Sequence, residues 1–162
     1  MSDVREHGDR ANGFKRNKDY AKAIGEYSEM LNLLSDNATG QYTKDGVYLL
    51  RGSCYLKAGE PEKAVEDYSK AISLKPEDGD YYNSRAEAYL ALGELENAKA
   101  DIEKAVKLNP KEAARYYDNF GMGIEEQTGN KKEAAVYLKK SLEHGGYEYG
   151  DAKGFLAQWG IK

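Results

Sequence analysis

Residues 48–76 read YLLRGSCYLKAGEPEKAVEDYSKAISLKP, and residues 82–110 read YNSRAEAYLALGELENAKADIEKAVKLNP. Tyr82 follows Tyr48 by 34 residues, and Pro110 follows Pro76 by the same interval. A constant interval of this length, with small residues at fixed offsets inside it, is typical of stacked helix–turn–helix units. One helix pair cannot bury its own apolar face, whereas stacked copies share a continuous core, and this explains why the chain repeats itself.

The offsets within each copy predict two helices. In the copy that begins at Asp45, the small and aromatic residues recur three or four positions apart, which places them on one helical face. The turn at residues 59–61 precedes a second helix, which Pro76 ends. Tiny residues let the two helices approach closely, and aromatic residues fill the remaining space. The next copy matches this pattern with Tyr82, Arg85, Ala86, Tyr89, Gly93, Ala98, Ile102, Ala105, Val106 and Pro110.

Two weaker copies flank this pair within one predicted domain over residues 1–162. The insertion after the first copy either lengthens a helix or forms a loop, and the sequence leaves both open. The last helix carries Trp159 in an apolar stripe, as expected of a helix that covers the end of a repeat stack. The predicted order is repeat 1 at about 4–37, the insertion at about 38–44, repeat 2 at 45–78, repeat 3 at 79–112, repeat 4 at about 114–148 and the last helix at about 150–160.

This pattern resembles the tetratricopeptide repeat family, whose signature positions are matched in repeats 2 and 3 at nearly every place. The resemblance extends, more weakly, over about residues 4–146. It implies an all-α fold, a right-handed superhelical solenoid of antiparallel helix pairs with a C-terminal capping helix. Such arrays hold other proteins, so the implied function is a non-catalytic protein-interaction module, acting as an adaptor or scaffold.

Three repeats place an arginine on the helical face assigned to the core. A buried unpaired charge is very costly, so each arginine needs a partner close by. An acidic residue stands 16 positions later in each of these repeats, on the second helix. The sequence therefore predicts three ion pairs, and repeat 4 replaces both members together with Phe120 and Tyr137. The predicted pairs are Arg10–Glu26, Arg51–Asp67 and Arg85–Asp101.

The family resemblance also implies a concave groove lined by the first helix of each repeat, where a peptide segment or a partner helix binds. Residues that face away from the predicted core are the candidates for this site. An apolar strip among them needs either a ligand or closure of the superhelix to cover it, and charge grades from basic in repeat 1 to acidic in repeats 3 and 4. The candidate groove residues are Asn12, Leu49, Ser53, Leu56, Asn83, Glu87, Leu90, Asn119 and Met122.

The best-known groove specificity of the family is a two-carboxylate clamp for the acidic C-terminal tails of the Hsp70 and Hsp90 chaperones. Asn12 occupies one of the five clamp positions. The other four hold Gly8, Leu50, Asp80 and Ser84, and Asp80 would repel a carboxylate. A co-chaperone function of this kind is therefore disfavoured. The alternative to peptide binding is self-association, in which the groove or an end face receives a second copy in a homodimer.

Composition and motifs disfavour other classes of function. The net charge of −4 gives no basic field for nucleic acid or an anionic membrane. The single Cys54 provides neither a disulfide nor a paired-cysteine metal site. His7 and His144 lie at opposite ends of the predicted stack, and no spacing indicates an enzyme, a metal or a cofactor. The charged N-terminus contains no apolar signal region, so we expect a cytoplasmic protein.

Overall fold

The computed structural model describes residues 3–145 and 152–161, and these contain helices but no strand. Contacts between Cα atoms divide the chain into two compact units, Met1–Glu77 (unit 1) and Asp78–Lys162 (unit 2). A short 3-10 turn, Pro110–Glu112, precedes α7. The helices are α1 Val4–Arg16, α2 Tyr20–Leu33, α3 Lys44–Lys57, α4 Pro61–Leu74, α5 Gly79–Ala91, α6 Leu95–Leu108, α7 Ala113–Thr128, α8 Lys131–Glu143 and α9 Ala152–Gln158.

Helix boundaries follow local chemistry. Carboxylates cap the N-termini of α1 and α5, where Asp3 accepts from the Arg5 amide and Asp78 accepts from the Asp80 amide. Gly59 follows α3 with a φ of 80°, a left-handed conformation that glycine adopts without a steric cost. Gly93, 34 residues later, follows α5 with a φ of 75°. The turn chemistry thus repeats with the same interval as the helices.

Unit 1 contains the antiparallel pairs α1–α2 and α3–α4. Its buried core combines small and large residues on the facing sides of α1, α2 and α3. In the α3–α4 pair, a Cβ atom added to Gly52 would lie 2.7 Å from Cε1 of the buried Tyr68. Only a residue without a side chain allows this approach. The core residues are Ala11, Ala23, Tyr27, Met30, Leu31, Val47 and Cys54.

The segment between repeats 1 and 2 is a loop. Residues 34–43 lie outside the helices, which decides the alternative that the sequence left open. Lys44, which the sequence analysis assigned to the insertion, is the first residue of α3. The loop is anchored to its surroundings, because Lys44 Nζ lies 2.6 Å from Asp36 Oδ1.

Unit 2 contains the pairs α5–α6 and α7–α8, followed by α9. Ile102, Phe120 and Ile124 are among its buried core residues. Ala152 and Leu156 of α9 are buried against Ala135 and Leu138 of α8, so the last helix covers one side of the α7–α8 pair. Residues 150 and 151, where the predicted last helix begins, lie outside the described residues.

Candidate functional site

The arginines of repeats 2 and 3 pair with carboxylates as predicted. Arg51 donates two hydrogen bonds to Asp67, each 2.8 Å long. Arg85 donates bonds of 2.8 Å and 2.9 Å to Asp101 in the same two-nitrogen, two-oxygen geometry. Hydrogen bonding to Asp67 raises the pKa of Arg51 above its already high ordinary value. Both arginines therefore stabilise the fold. The two-nitrogen edge of each guanidinium, which would otherwise bind an anionic ligand, is already paired with a carboxylate.

The pairs at the two ends of the repeat series differ from these. Arg10 Nε donates to Glu26 at 3.1 Å, which confirms the third predicted pair in a more exposed form. Glu26 also lies 2.6 Å from Nδ1 of the buried His7. In repeat 4, Phe120 packs edge-on against Tyr137 with ring centroids 4.7 Å apart. An aromatic contact therefore occupies the place of the ion pair, as the joint replacement in the sequence predicted.

Tyrosine rings enclose the paired arginines, a feature that the sequence analysis did not predict. The Arg51 guanidinium lies 5.7 Å from the ring centroids of both Tyr48 and Tyr55. The Arg85 guanidinium likewise lies 5.7 Å from the ring centroids of Tyr82 and Tyr89 on α5. The signal was present in the sequence, because tyrosines stand three residues before and four residues after each arginine. These rings therefore pack around the ion pairs and serve the fold.

Asn12, a predicted groove residue, is held by two tyrosines. The Tyr27 hydroxyl donates to Asn12 Oδ1 at 3.0 Å, and Asn12 Nδ2 donates to the Tyr42 hydroxyl at 3.3 Å. Burial raises the pKa of Tyr27 to about 12, so its hydroxyl remains a neutral donor. Both the oxygen and the nitrogen of the Asn12 amide therefore already have a hydrogen-bond partner within unit 1. The amide joins α1 to α2 and to the loop.

A cleft opens on unit 1 beside Asn12. Its volume is about 480 Å³, and Asp9, Lys15 and Arg16 of α1 also line it. The three charged residues recur along one side of the helix, on the face that the sequence assigned to the groove. This volume falls within the range of roughly 300–1,000 Å³ that is usual for ligand sites.

The predicted groove residues of α3 form a partly exposed stripe. Leu49, Ser53 and Leu56 follow one another by four and three positions and are each partly exposed. Neither of these two leucines packs in the core cluster of unit 1. Leu50, by contrast, is partly buried and packs against that cluster.

In unit 2, the predicted apolar strip is buried at Leu90 and only partly exposed at Met122. Leu90 is only 5% exposed, and its Cδ1 lies 2.8 Å from where a Cβ of Gly123 would be. The prediction that Leu90 lines an open groove is therefore wrong. Met122 packs against the cluster that contains Ala152 and Leu156, so the C-terminal helix contributes to covering it.

The polar candidates of unit 2 remain accessible. Asn83 is partly exposed, and Glu87 and Asn119 are exposed. Asp80, which contributed to the expected acidic end of the groove, is paired with Arg115 at 2.5 Å. Arg115 therefore offsets part of the negative charge that the sequence placed there.

The described residues contain no group of three or more His, Cys, Asp or Glu arranged to hold a metal ion. No helix within residues 3–145 and 152–161 has both the length and the apolar character of a membrane span. Burial raises the pKa of the Cys54 thiol, and the charges of Lys15 and Lys57 oppose part of that rise. A buried thiol of raised pKa is a poor nucleophile.

These features define an all-α helical repeat protein in which each unit contains antiparallel helix pairs with their own core. Residues 47–78 and 79–112 each match a family model described as tetratricopeptide repeat. Residues 47–112 therefore consist of two tetratricopeptide repeats, which confirms the recognition of this repeat from the sequence. Comparison with curated protein sequences gives no significant match.

Solved structures share the fold. The crystal structure of MamA is 23% identical, with 90% of this chain and 80% of that one covered at a TM-score of 0.70. YrrB, whose structure is described as a TPR protein with an unusual peptide-binding site, is 15% identical over 98% of this chain and 75% of that one, at a TM-score of 0.69. The second TPR domain of human RPAP3, solved in complex with an HSP70 peptide, is 26% identical over 84% of this chain and 92% of that one, at a TM-score of 0.58.

Proposed function

We propose that this protein is a non-catalytic adaptor that holds a peptide segment of another protein against the exposed faces of its first helices. The observation that carries the proposal is the stripe on α3, where Leu49 and Leu56 are partly exposed and stand outside the core cluster. Apolar side chains between polar neighbours are the usual anchors of a peptide site. The peptide complexes among similar structures support the same kind of partner.

The remaining candidate residues give this partner its polar contacts. Ser53 lies between the two leucines on α3, and Asn83, Glu87 and Asn119 present polar groups on unit 2. Side-chain amides donate and accept hydrogen bonds, and a peptide backbone needs both. The proposed ligand is therefore an extended segment or a helix of a protein rather than nucleic acid or membrane, and the proposed setting is the cytoplasm.

The test compares peptide binding by the wild-type chain and a Leu49→Asp/Leu56→Asp variant. Peptides selected from a random display library on the wild-type chain are measured for their dissociation constants. Placing two carboxylates on the apolar stripe should raise the dissociation constants of the selected peptides by about tenfold or more. Each substitution removes an apolar contact and adds a charge that peptide binding would desolvate.

Leu33→Asp is the matched control, because Leu33 is 53% exposed on α2 of the same unit. This variant makes the same chemical change away from the stripe and should leave the dissociation constants unchanged. Helical circular dichroism and the melting curve verify that each variant is folded. Equal binding by all three proteins, or no peptide selected at all, would contradict the proposal.

A further inference from the structure

The loop between the first two repeats shapes the face of α1. The ring of Tyr42 packs directly against Gly8, where any Cβ atom would overlap it, and the Tyr42 hydroxyl bonds to Asn12. Gly8 is buried by this contact although it faces away from the α1–α2 core in the helical pattern. Tyr42 thus covers the face at Gly8, and the cleft is lined by residues from Asp9 to Arg16.

The cleft lining carries positive charge without an internal partner. Lys15 and Arg16 lie in the last turn of α1 and line the cleft or its rim. Neither forms an ion pair with any residue in the described part of the chain, whereas Arg10, Lys22 and Lys44 of the same unit do. Cations at a helix C-terminus are stabilised by the helix dipole, which explains why the fold tolerates them there.

A third cation of unit 1 stands at the end of α3. Lys57 is the last residue of this helix, and its charge, like that of Lys15, opposes the rise in the pKa of the Cys54 thiol that burial causes. Lys57 likewise has no ion pair among residues 3–145 and 152–161. The positive charge is a local property of this region, since the whole chain has a net charge of −4.

From the cleft and the two unpaired cations that line it, we infer that the α1 cleft binds the carboxylate side chains of an acidic peptide segment through Lys15 and Arg16. This inference rests on the proposed peptide-binding function and names the chemistry of the partner. Arg16 has a planar guanidinium with several N–H donors, and Lys15 has a compact ammonium group. Both groups form charge-assisted hydrogen bonds with carboxylates. The Hsp70 and Hsp90 clamp positions are different residues, and one of them, Gly8, is covered here by Tyr42.

Asp9 makes the charge of the cleft lining differ between its two ends. It lines the cleft two helical turns before Arg16, so the lining changes from negative to positive along α1. A segment with a carboxylate over Lys15 and Arg16 fits, and a second carboxylate over Asp9 is repelled. The complementary sequence is therefore acidic at one end and neutral or basic at the other.

The test measures fluorescence anisotropy of a labelled peptide whose Glu residues are confined to one half, with Ala and Gln in the other half, beside a second peptide in which Gln replaces Glu. The Glu peptide should bind more tightly than the Gln peptide, and its affinity should fall as salt is added. The Lys15→Glu/Arg16→Glu variant should bind the Glu peptide about tenfold or more weakly than the wild-type chain does. If this charge reversal unfolds the chain, Lys15→Gln/Arg16→Gln removes the same charges without adding carboxylates.

Lys132→Glu/Lys139→Glu is the matched control, because both lysines are exposed on α8 and the change in net charge is identical. It should alter the affinity by less than about twofold, since neither lysine lines the cleft. Equal binding of the Glu and Gln peptides, or equal losses in the two variants, would overturn the inference. So would a single-stranded oligonucleotide that competes at the cleft more strongly than the Glu peptide.

The two proposals fail differently. If library peptides depend on Leu49 and Leu56 while the Glu peptide does not bind, the acidic partner is wrong and the peptide-binding function stands. If neither class of peptide binds, both are wrong.

Discussion

Arg51 contacts two tyrosine rings, a carboxylate and a hydroxyl. Besides Asp67, its guanidinium donates to Ser28 Oγ of the preceding repeat at 2.9 Å. The side chains of Arg51 and Asp67 are 16% and 3% exposed, so both charges are largely removed from water. A pair of this kind adds little net stability over an apolar pair, but breaking it leaves a buried charge without its partner.

We expect Arg51→Asp to lower the free energy of unfolding by about 3–5 kcal/mol, the usual cost of breaking a buried pair. The swapped variant Arg51→Asp/Asp67→Arg should recover part of this loss, because opposite charges face each other again. Recovery should be incomplete, since an arginine at position 67 lacks the bond to Ser28 and the two flanking rings. Urea unfolding of both single variants and the swap gives the coupling energy.

The exposed pair Arg10–Glu26 is the comparison for this cycle. Arg10 is 40% exposed, so Arg10→Asp should cost less than Arg51→Asp because water solvates the remaining charge. A swap at positions 51 and 67 that is no more stable than either single variant would show that the two residues do not act as a pair.

At the scale of helices, close approach depends on small residues at the crossing points. Gly52 lets α3 meet Tyr68 of α4, and Gly121 lets α7 meet Leu138 of α8. The short α9 depends even more on packing, because seven residues are too few for an isolated helix to be stable in water. Its stability comes from burial of Ala152 and Leu156.

Gly52→Leu should destabilise the chain by about 1–3 kcal/mol, because the new side chain forces α3 away from Tyr68. Gly25→Leu is the matched control. Gly25 also lies inside a helix, but nothing approaches within 4 Å of its Cβ position. Replacing an exposed helical glycine removes its entropic cost, so Gly25→Leu should leave stability unchanged or raise it.

Thermal and urea unfolding measure both variants. If Gly52→Leu and Gly25→Leu unfold at the same midpoint, the close contact between α3 and α4 is not what requires a glycine at position 52.

At the scale of the whole molecule, the described surface exposes few large apolar side chains. Leu33 and Val136 are the two large hydrophobic residues of the described part that are more than half exposed, and they belong to different units. Single exposed apolar residues are normal on monomeric proteins and do not form the extended patch of a stable dimer.

We therefore expect the chain to sediment as a monomer of 18.1 kDa at micromolar concentration. Analytical ultracentrifugation over a range of concentrations measures this, with Leu49→Asp/Leu56→Asp as the comparison. Both proteins should sediment alike. A dimer that dissociates in the variant would favour self-association through α3 over the binding of a separate peptide.

The sequence determined the features that depend on spacing along one helix pair. A constant interval of 34 residues fixed which residues face each other, and the partners of Arg51 and Arg85 followed from burial and charge. The replacement of the ion pair by Phe120 and Tyr137 in repeat 4 was predictable for the same reason. These relations are local, since each joins residues within one repeat.

The tertiary structure decided what lies between repeats and beside the insertion. Helical spacing placed Leu90 on an outward face, but packing in unit 2 buries it beside Gly123. The same spacing left Asn12 open, and Tyr42 from an irregular loop holds its amide. Periodicity specifies the direction of a side chain from its own helix axis. It does not specify which neighbour occupies that direction, because this depends on contacts between segments distant in sequence.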